Sequence, residues 1–199
     1  TMRQTTPVLS AALLLAIAAP AYADVDPSIP DAIKKVKASD YPSANTVTIL
    51  DDQLVVYQPD GQYTNTWHSA KLVLTPDGKT EAASRSLYYT KDAEKMEVLS
   101  AQVVKKDGTV VPVDKKDIQD VEQSGEMNIY DPQGRSVKVT FPGLAVGDVA
   151  DITFKMTREL PTRVGFFNDI FSFQSTEPVL EASYTVDGPA KLPLTAQLY

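Results

Sequence analysis

The sequence predicts an all-β protein, an antiparallel β-sandwich that carries one short helix near its N-terminus. Three observations favour this fold class. Apolar and polar residues alternate along several segments, which is the period of a half-buried strand. Turn signals containing Pro, Gly and Asp separate these segments. Only one stretch, near residue 30, has helical spacing. Because about ten short strands joined by turns are typical of a sandwich, we prefer a sandwich to a barrel.

Length and composition are those of one ordinary domain. The chain has 199 residues, of which 43% are hydrophobic and 23% are charged, so wholesale disorder is not expected. Acidic residues outnumber basic residues by 26 to 19. Nucleic acid is therefore not expected as a partner, because binding it requires a basic surface. The sequence contains no cysteine, so stability must come from an apolar core and not from disulfides.

Residues 1–23 have the features of a secretory signal peptide. Arg3 supplies a positive charge, residues 8–19 form an apolar run, and residues 21–23 (Ala-Tyr-Ala) fit the small-x-small cleavage rule. The apolar run is too short to span a bilayer. We therefore expect cleavage before Asp24 and a periplasmic or secreted product that is not embedded in a membrane. An uncleaved anchor is the alternative.

Residues 24–40 are predicted to form a linker and the short helix. Ser28 is a candidate N-cap, and Pro30 suits the first helical turn. Such a short helix is marginal alone, so we expect its apolar stripe to pack on the sheet. That stripe comprises Ile29, Ile33 and Val36.

The β-sandwich is expected to occupy residues 41–199. Strand patterns cover residues 46–50, 54–57, 63–75, 98–104, 110–113, 137–141, 150–156 and 180–186. Turn signals lie at residues 59–61, 76–78, 106–108 and 132–134. Since proline cannot donate a ladder hydrogen bond, Pro112 places its strand at the edge of a sheet. The alternation predicts one buried and one solvated face for each strand, as antiparallel sheets allow.

Short motifs follow one another along the chain in a characteristic order. They are Tyr41-Pro42-Ser43-Ala44, then Val47, Ile49, Leu50, Asp51 and Asp52, Lys71-Leu72-Val73-Leu74, Ala101 with Asp107-Gly108-Thr109, Tyr130-Asp131, Phe141-Pro142-Gly143-Leu144, Gly147-Asp148, Phe173-Gln174 and Pro178-Val179. This order, over residues 40–193, resembles a bacterial domain of unknown function that precedes transglutaminase-like domains in exported proteins. The resemblance implies an immunoglobulin-like sandwich. It also implies that catalysis belongs to a Cys-His-Asp set in the following domain, which we expect to be absent from this sequence.

His68 is the only histidine. A Ser-His-Asp site would need a serine within hydrogen-bond reach, but Ser69 points to the opposite face of the strand and cannot serve. A distant serine is the alternative to an ordinary structural role, which we prefer. The sequence also nominates no pair of carboxylates for glycoside hydrolysis. We therefore expect no enzymatic activity and assign no catalytic residue.

Metal and cofactor sites are not indicated. One histidine and no cysteine leave mainly oxygen ligands, which favour calcium or magnesium over zinc. The acidic residues Asp114, Asp117 and Asp120, and the pair Asp51 and Asp52, lack the spacing of a calcium loop. We interpret them as solvated charge.

Two surfaces are candidates for binding. Tyr63 and Trp67 share one face of a predicted strand and could stack on a sugar, although packing at the edge of the sandwich is the alternative. The stretch 160–170 contains the predicted partner contacts Arg163, Phe166, Phe167 and Asp169. Because an extended chain can bury only one of the adjacent Phe166 and Phe167 against the core, the other needs another cover. A loop folded back on its own sheet is the alternative.

We therefore interpret the chain as an exported, non-catalytic β-sandwich that positions or presents a neighbouring transglutaminase-like domain or a protein partner. The alternative is a periplasmic module that binds carbohydrate or peptidoglycan through Tyr63 and Trp67. Such a partner domain would be held through surface burial of about 600 to 1,500 Å².

Overall fold

The computed structural model describes residues 25–123, 133–173, 175–192 and 194–197. These residues form nine strands and two short α-helices, which confirms the predicted all-β sandwich with a short N-terminal helix. The strands are β1 (Thr46–Tyr57), β2 (Tyr63–Val73), β3 (Ser84–Thr90), β4 (Glu94–Val104), β5 (Val110–Pro112), β6 (Ile118–Glu122), β7 (Gly134–Thr140), β8 (Val149–Arg158) and β9 (Val179–Asp187). The helices are α1 (Ser28–Lys35) and α2 (Pro76–Ala82). The predicted signal peptide lies outside the described residues.

The strands form one large and one small sheet. The six-stranded sheet has the order β5-β4-β8-β2-β1-β9, and the three-stranded sheet has the order β3-β7-β6. Each pair of neighbouring strands is antiparallel except β1 and β9, which are parallel. β8 and β9 therefore run in the same direction. The chain between them, residues 159–178, must return along the sheet, and we name it the crossover segment.

The large sheet is covered on both faces. Its inner face packs against the small sheet, where Ile152 and Phe154 of β8 meet Val137 and Val139 of β7. Its outer face packs against α1. The second cluster contains Ile29, Ala32, Val47, Leu72 and Val149. The expected packing of the helical stripe on the sheet is thus confirmed, with Ile33 and Val36 partly buried beside it.

Double coverage makes one prediction wrong. The alternation in β8 predicts a solvated position for Asp151, but Asp151 is only 4% exposed. All four residues from Val149 to Ile152 are buried. The buried carboxylate requires partners, and the sequence pattern did not reveal that the second face is covered.

The starts of the two α-helices differ from the prediction. The Pro76-Asp77-Gly78 signal was predicted to be a turn, but Pro76 begins α2, where the Thr75 hydroxyl caps the helix by accepting a hydrogen bond from the Gly78 amide at 3.1 Å. In α1, the predicted cap Ser28 is instead the first helical residue. The N-cap is Pro27, and Asp26 accepts the Ser28 amide at 2.8 Å.

The strands differ from the prediction in two respects: β3 and β6 have no predicted counterpart, and β1 has different bounds. The two predicted segments 46–50 and 54–57 form one strand, with an irregularity in register between Thr48 and Leu50. The predicted hairpin at residues 106–108 joins β4 and β5, and β5 with Pro112 lies at the edge of the large sheet, as expected. The predicted turn at 132–134 lies partly outside the described residues.

Candidate interaction surface

The crossover segment covers part of the inner face of the large sheet. Tyr63 and Trp67 lie on the same face of β2, and Trp67 packs against the core between the sheets. Tyr57 of β1 pairs with Tyr63, so its side chain lies on that inner face too. The small sheet packs over β8, and the crossover segment provides cover towards β1 and β9.

Aromatic contacts hold the inner side of the segment on the sheet. The ring of Phe167 stacks on Tyr57, with centroids 4.9 Å apart and planes 13° apart, and meets the edge of Tyr63 at 5.3 Å. Four residues later, Phe171 stacks on Tyr184 of β9 at 5.0 Å. Offset-stacked and edge-to-face arrangements of this kind are favourable beyond their buried area. The segment is therefore attached at two separate points.

Polar contacts secure the same side. The Tyr184 hydroxyl donates to an Asp169 carboxylate oxygen at 2.8 Å. Burial raises the pKa of Tyr184, and the bond to Asp169 raises it further because ionisation would break it. Near the end of the segment, the Glu177 carboxylate lies 2.6 Å from Lys71 Nζ and accepts the Thr46 hydroxyl at 3.1 Å.

The hairpin between β1 and β2 is shaped to receive the segment. The Gly165 amide donates to the Asp60 carbonyl at 2.8 Å. Gly61 has a φ of +91°, and a Cβ at this position would lie 2.8 Å from the Phe166 carbonyl oxygen and 3.0 Å from that of Arg163. Glycine is therefore required both for the backbone conformation and for the close approach.

Five apolar side chains of the segment are exposed to solvent. Ile170 is 91% exposed and Val164 is 81% exposed, while the other members are each more than half exposed. We define the apolar strip as Leu160, Val164, Phe166, Ile170 and Phe173. Soluble monomers rarely expose large contiguous apolar patches, and those that occur often mark interaction sites. The segment is thus held on the sheet by its inner side, and its exposed apolar side chains are accessible to a partner.

The four predicted partner contacts all lie on this segment, in different roles. Phe166 is 52% exposed and points outward, whereas Phe167 is the anchor on the tyrosines. Asp169 binds Tyr184, and Arg163 is exposed. Sequence reasoning missed the other four members of the apolar strip. These residues are apolar but lie in a stretch without the strand period, and that combination could have indicated that they are exposed.

The two candidate glycan contacts occupy separate environments. The Trp67 indole N–H donates to the Asp51 carboxylate, its ring lies 5.4 Å from that of Phe154, and the Arg85 guanidinium lies 5.5 Å from its centroid. Tyr63 lies under Phe167 instead. Both side chains are half-buried. The structure therefore does not bring them together as one open stacking surface.

His68 lies on the outer face of the large sheet in a polar network. Its Nε2 lies 2.7 Å from one Asp151 carboxylate oxygen, and the other oxygen accepts the Gln102 side-chain amide at 2.8 Å. The hydrogen bond to Asp151 raises the pKa of His68, and burial opposes this shift. These contacts satisfy the buried carboxylate, which gives His68 a structural role.

Acidic residues weighed as metal ligands bind other side chains. Asp120 accepts from Arg135 Nε at 2.9 Å and from the Tyr89 hydroxyl at 2.7 Å, while Asp52 accepts the Ser183 hydroxyl at 2.8 Å. Within the described ranges, no three or more His, Cys, Asp or Glu side chains are grouped to hold a metal ion. Among the same residues, no helix is both long enough and apolar enough to cross a membrane.

Solved structures share the fold at low sequence identity. A candidate protease from Parabacteroides distasonis is 18% identical, with a TM-score of 0.66 over 76% of this chain and 30% of that chain. This chain thus spans less than a third of that protein. A CBM3a-L domain with flanking linkers from scaffoldin cipA of Clostridium thermocellum is 14% identical, with a TM-score of 0.33 over 59% of this chain and 69% of that chain. The latter likeness is too weak to carry an argument.

Family membership follows from sequence. No curated protein matches the chain. A family described as a domain of unknown function with a solved structure matches residues 59–199, which is more than half of the chain. The match includes β2 to β9 and the whole crossover segment, and β1 precedes it. The chain belongs to this domain-of-unknown-function family, DUF3857.

Proposed function

We propose that this chain is an exported, non-catalytic accessory domain that positions or presents a neighbouring domain through its crossover segment. The observation that carries the proposal is the apolar strip, which is exposed on the outer side of a segment whose inner side is anchored. The motif order described above suggests a transglutaminase-like domain as the neighbour. The features of residues 1–23 support export.

Anchoring makes this surface suitable for docking. Apolar side chains on a mobile loop would lose conformational freedom on binding, which reduces affinity. Here Phe167, Phe171 and Asp169 already fix the backbone that carries the strip. A partner would therefore cover exposed apolar area at a smaller entropic cost. Arg163 and the backbone of the segment supply polar groups for the rim of such an interface.

The similar solved structure supports a role within a longer polypeptide. The region that resembles this chain makes up 30% of the candidate protease from Parabacteroides distasonis. A sandwich of this kind can thus form one part of a larger protein. The proposal that this chain likewise works beside another domain agrees with that arrangement.

Site-specific cross-linking in cells of the source organism tests the docking surface. A photo-reactive amino acid replaces Phe166 or, separately, Ile170, and the cross-linked peptides are identified by mass spectrometry. We expect both positions to cross-link to peptides of a transglutaminase-like domain, in the same polypeptide or in a separate protein. The matched control is Tyr88, an aromatic residue on β3 that is 62% exposed.

Three outcomes would contradict the proposal. Cross-links from Phe166 and Ile170 that reach only the sandwich itself would mean that the segment folds back on its own domain. Equal cross-linking to the same peptides from Tyr88 would show that the strip is not a specific surface. Turnover of a substrate by the purified sandwich would contradict its non-catalytic role.

The second candidate function is carbohydrate or peptidoglycan binding through Tyr63 and Trp67. It rests on two half-buried aromatic side chains on one strand face, and their separate packing contacts weaken it. In this case Trp67→Ala would abolish retention on glycan or on isolated cell wall without lowering the melting temperature. A lower melting temperature with unchanged retention would support a packing role for Trp67.

A further inference from the structure

A small open pocket lies where the inner face of the large sheet meets α2 and the start of β3. Ser69 and Lys71 of β2 form one wall, beside Ala150 and Ile152 of β8. The remaining lining residues are Glu81, Ala82, Ser84, Arg85 and Phe141. The pocket is separate from the apolar strip, although Lys71 also pairs with Glu177 of the crossover segment.

Two hydrogen-bond donors that line this pocket, Arg85 and Ser69, have side chains without an acceptor among the described residues. Among the residues that the structure describes, Arg85 forms no ion pair, and its guanidinium carbon lies 5.5 Å from the centroid of the Trp67 ring. The Ser69 hydroxyl likewise has no hydrogen-bond partner within the described ranges, whereas Ser84 precedes Arg85 on β3 and its side chain points to the opposite face. A guanidinium offers a planar fork of N–H donors that matches a carboxylate in two-point geometry.

The other charged groups of the pocket are already paired. Lys71 binds Glu177 at 2.6 Å, and the Glu81 carboxylate accepts the Asn45 side-chain amide at 2.7 Å. The positive charge of Lys71 is therefore neutralised by the negative charge of Glu177. Because Glu81 is exposed to solvent, its effect on Arg85 is screened. Arg85 is therefore the cation available to a ligand.

The floor of the pocket is apolar. Phe141, Ala150 and Ile152 are each no more than 6% exposed. A bare inorganic anion would leave this floor without a favourable contact, whereas a short hydrocarbon group would cover it. We propose that the pocket binds a carboxylate attached to a short aliphatic group, with Arg85 paired to the carboxylate and the Ser69 hydroxyl donating to it. The carboxylate could belong to a free small acid or to an acidic peptide side chain.

Trp67 gives this site an internal reporter. It is the only tryptophan in the sequence, and the Arg85 guanidinium lies over its ring. A ligand that pairs with Arg85 changes the charge beside the indole and hence its fluorescence.

The purified protein is titrated with propionate, with the neutral isostere propionamide, with inorganic phosphate and with chloride at matched ionic strength. Amide chemical shifts of β2 and β3 measure binding independently of the tryptophan. A short peptide with one internal glutamate and a blocked C-terminus separates a peptide side chain from a free acid.

Propionate is expected to give a saturable change that propionamide and chloride do not give. Arg85→Gln should weaken propionate binding about tenfold or more, because it removes a charge-assisted pair. Arg85→Lys, which keeps the charge without the fork, should weaken it less. Lys91→Gln, which removes an exposed positive charge just after β3, is the matched control and should leave binding unchanged. Melting temperatures show that each variant is folded.

The proposal is overturned if propionate and chloride have the same effect, or if Arg85→Gln binds propionate as tightly as the original protein. Phosphate binding at least as tight as that of propionate would overturn the assignment to an aliphatic carboxylate. Binding of the glutamate peptide but not of propionate would reject the free acid and assign the site to a peptide side chain. None of these results depends on a partner at the apolar strip.

Discussion

Adjacent phenylalanines on the crossover segment should respond to alanine substitution in opposite ways. Phe167 is half-buried and contacts two tyrosine rings, whereas Phe166 is 52% exposed on the outer side. Phe167→Ala therefore removes anchoring contacts within the domain. Phe166→Ala removes only surface that a partner would cover. The pair is matched in residue type and position along the chain.

The expected loss of stability can be worked from the contacts. Burying about 100 Å² of a phenylalanine side chain, at about 25 cal/mol per Å², contributes about 2.5 kcal/mol. Two favourable aromatic pairs add to this, and partial relaxation of the segment subtracts from it, so we expect about 3 kcal/mol for Phe167→Ala. For a domain of this size that corresponds to a melting temperature lower by about 6 to 12 °C. Phe166→Ala should change the free energy of unfolding by less than about 0.5 kcal/mol.

Thermal and urea unfolding of both variants measure these effects, with hydrogen exchange of the β1 and β9 amides as a local readout. Phe167→Ala should speed exchange in β9, since the segment that leads into β9 loses its anchor. Equal shifts in melting temperature for the two variants would refute the assignment of inner and outer sides. A Phe166→Ala shift larger than that of Phe167→Ala would reverse it.

Three further predictions concern the hairpin and the buried carboxylate. Gly61→Ala should destabilise the domain by more than about 1 kcal/mol in urea unfolding, because a Cβ would strain the backbone and meet the Phe166 carbonyl; Gly108→Ala, also at positive φ but with open space around it, is the control for the contact. His68→Leu should cost about 1 to 3 kcal/mol, since it leaves one oxygen of the buried Asp151 without its partner; an unchanged unfolding midpoint would contradict this role. The hydrogen bond to Asp151 raises the pKa of His68 above its ordinary value of 6.5, so its stabilisation is fully present below about pH 6.5 and is lost as the pH rises through the raised pKa. Unfolding midpoints measured across that range should fall more in the original protein than in His68→Leu.

The period of the apolar residues was sufficient to predict the fold class. It places alternate side chains on opposite faces whatever their neighbours, so β7, β8 and β9 were located correctly. Strand direction has no such local signature, and the parallel pairing of β1 with β9 was not foreseen. The sequence Pro76-Asp77-Gly78 is compatible with a turn and with the start of a helix. The helix forms because the Thr75 side chain caps it by accepting a hydrogen bond from the Gly78 amide.

Burial and site geometry were predictable only where two adjacent apolar residues cannot both face the core. Phe166 and Phe167 cannot both face the core, which correctly indicated different surroundings for the two rings. The partners of Asp151, in contrast, are His68 and Gln102, which are 83 and 49 residues away in sequence. Contacts at such separations arise from the arrangement of strands, and no local pattern encodes them.

The parallel pairing of β1 with β9 also constrains the order in which the domain can be completed. The Ser183 hydroxyl bonds Asp52 across a separation of 131 residues, at the junction of these two strands. During synthesis, β1 can form its hairpin with β2 long before β9 exists, and its other edge then presents unpaired backbone groups. Open edges of this kind invite pairing with other chains. The growing polypeptide must therefore keep one edge of its hairpin uncovered until almost the whole domain has emerged.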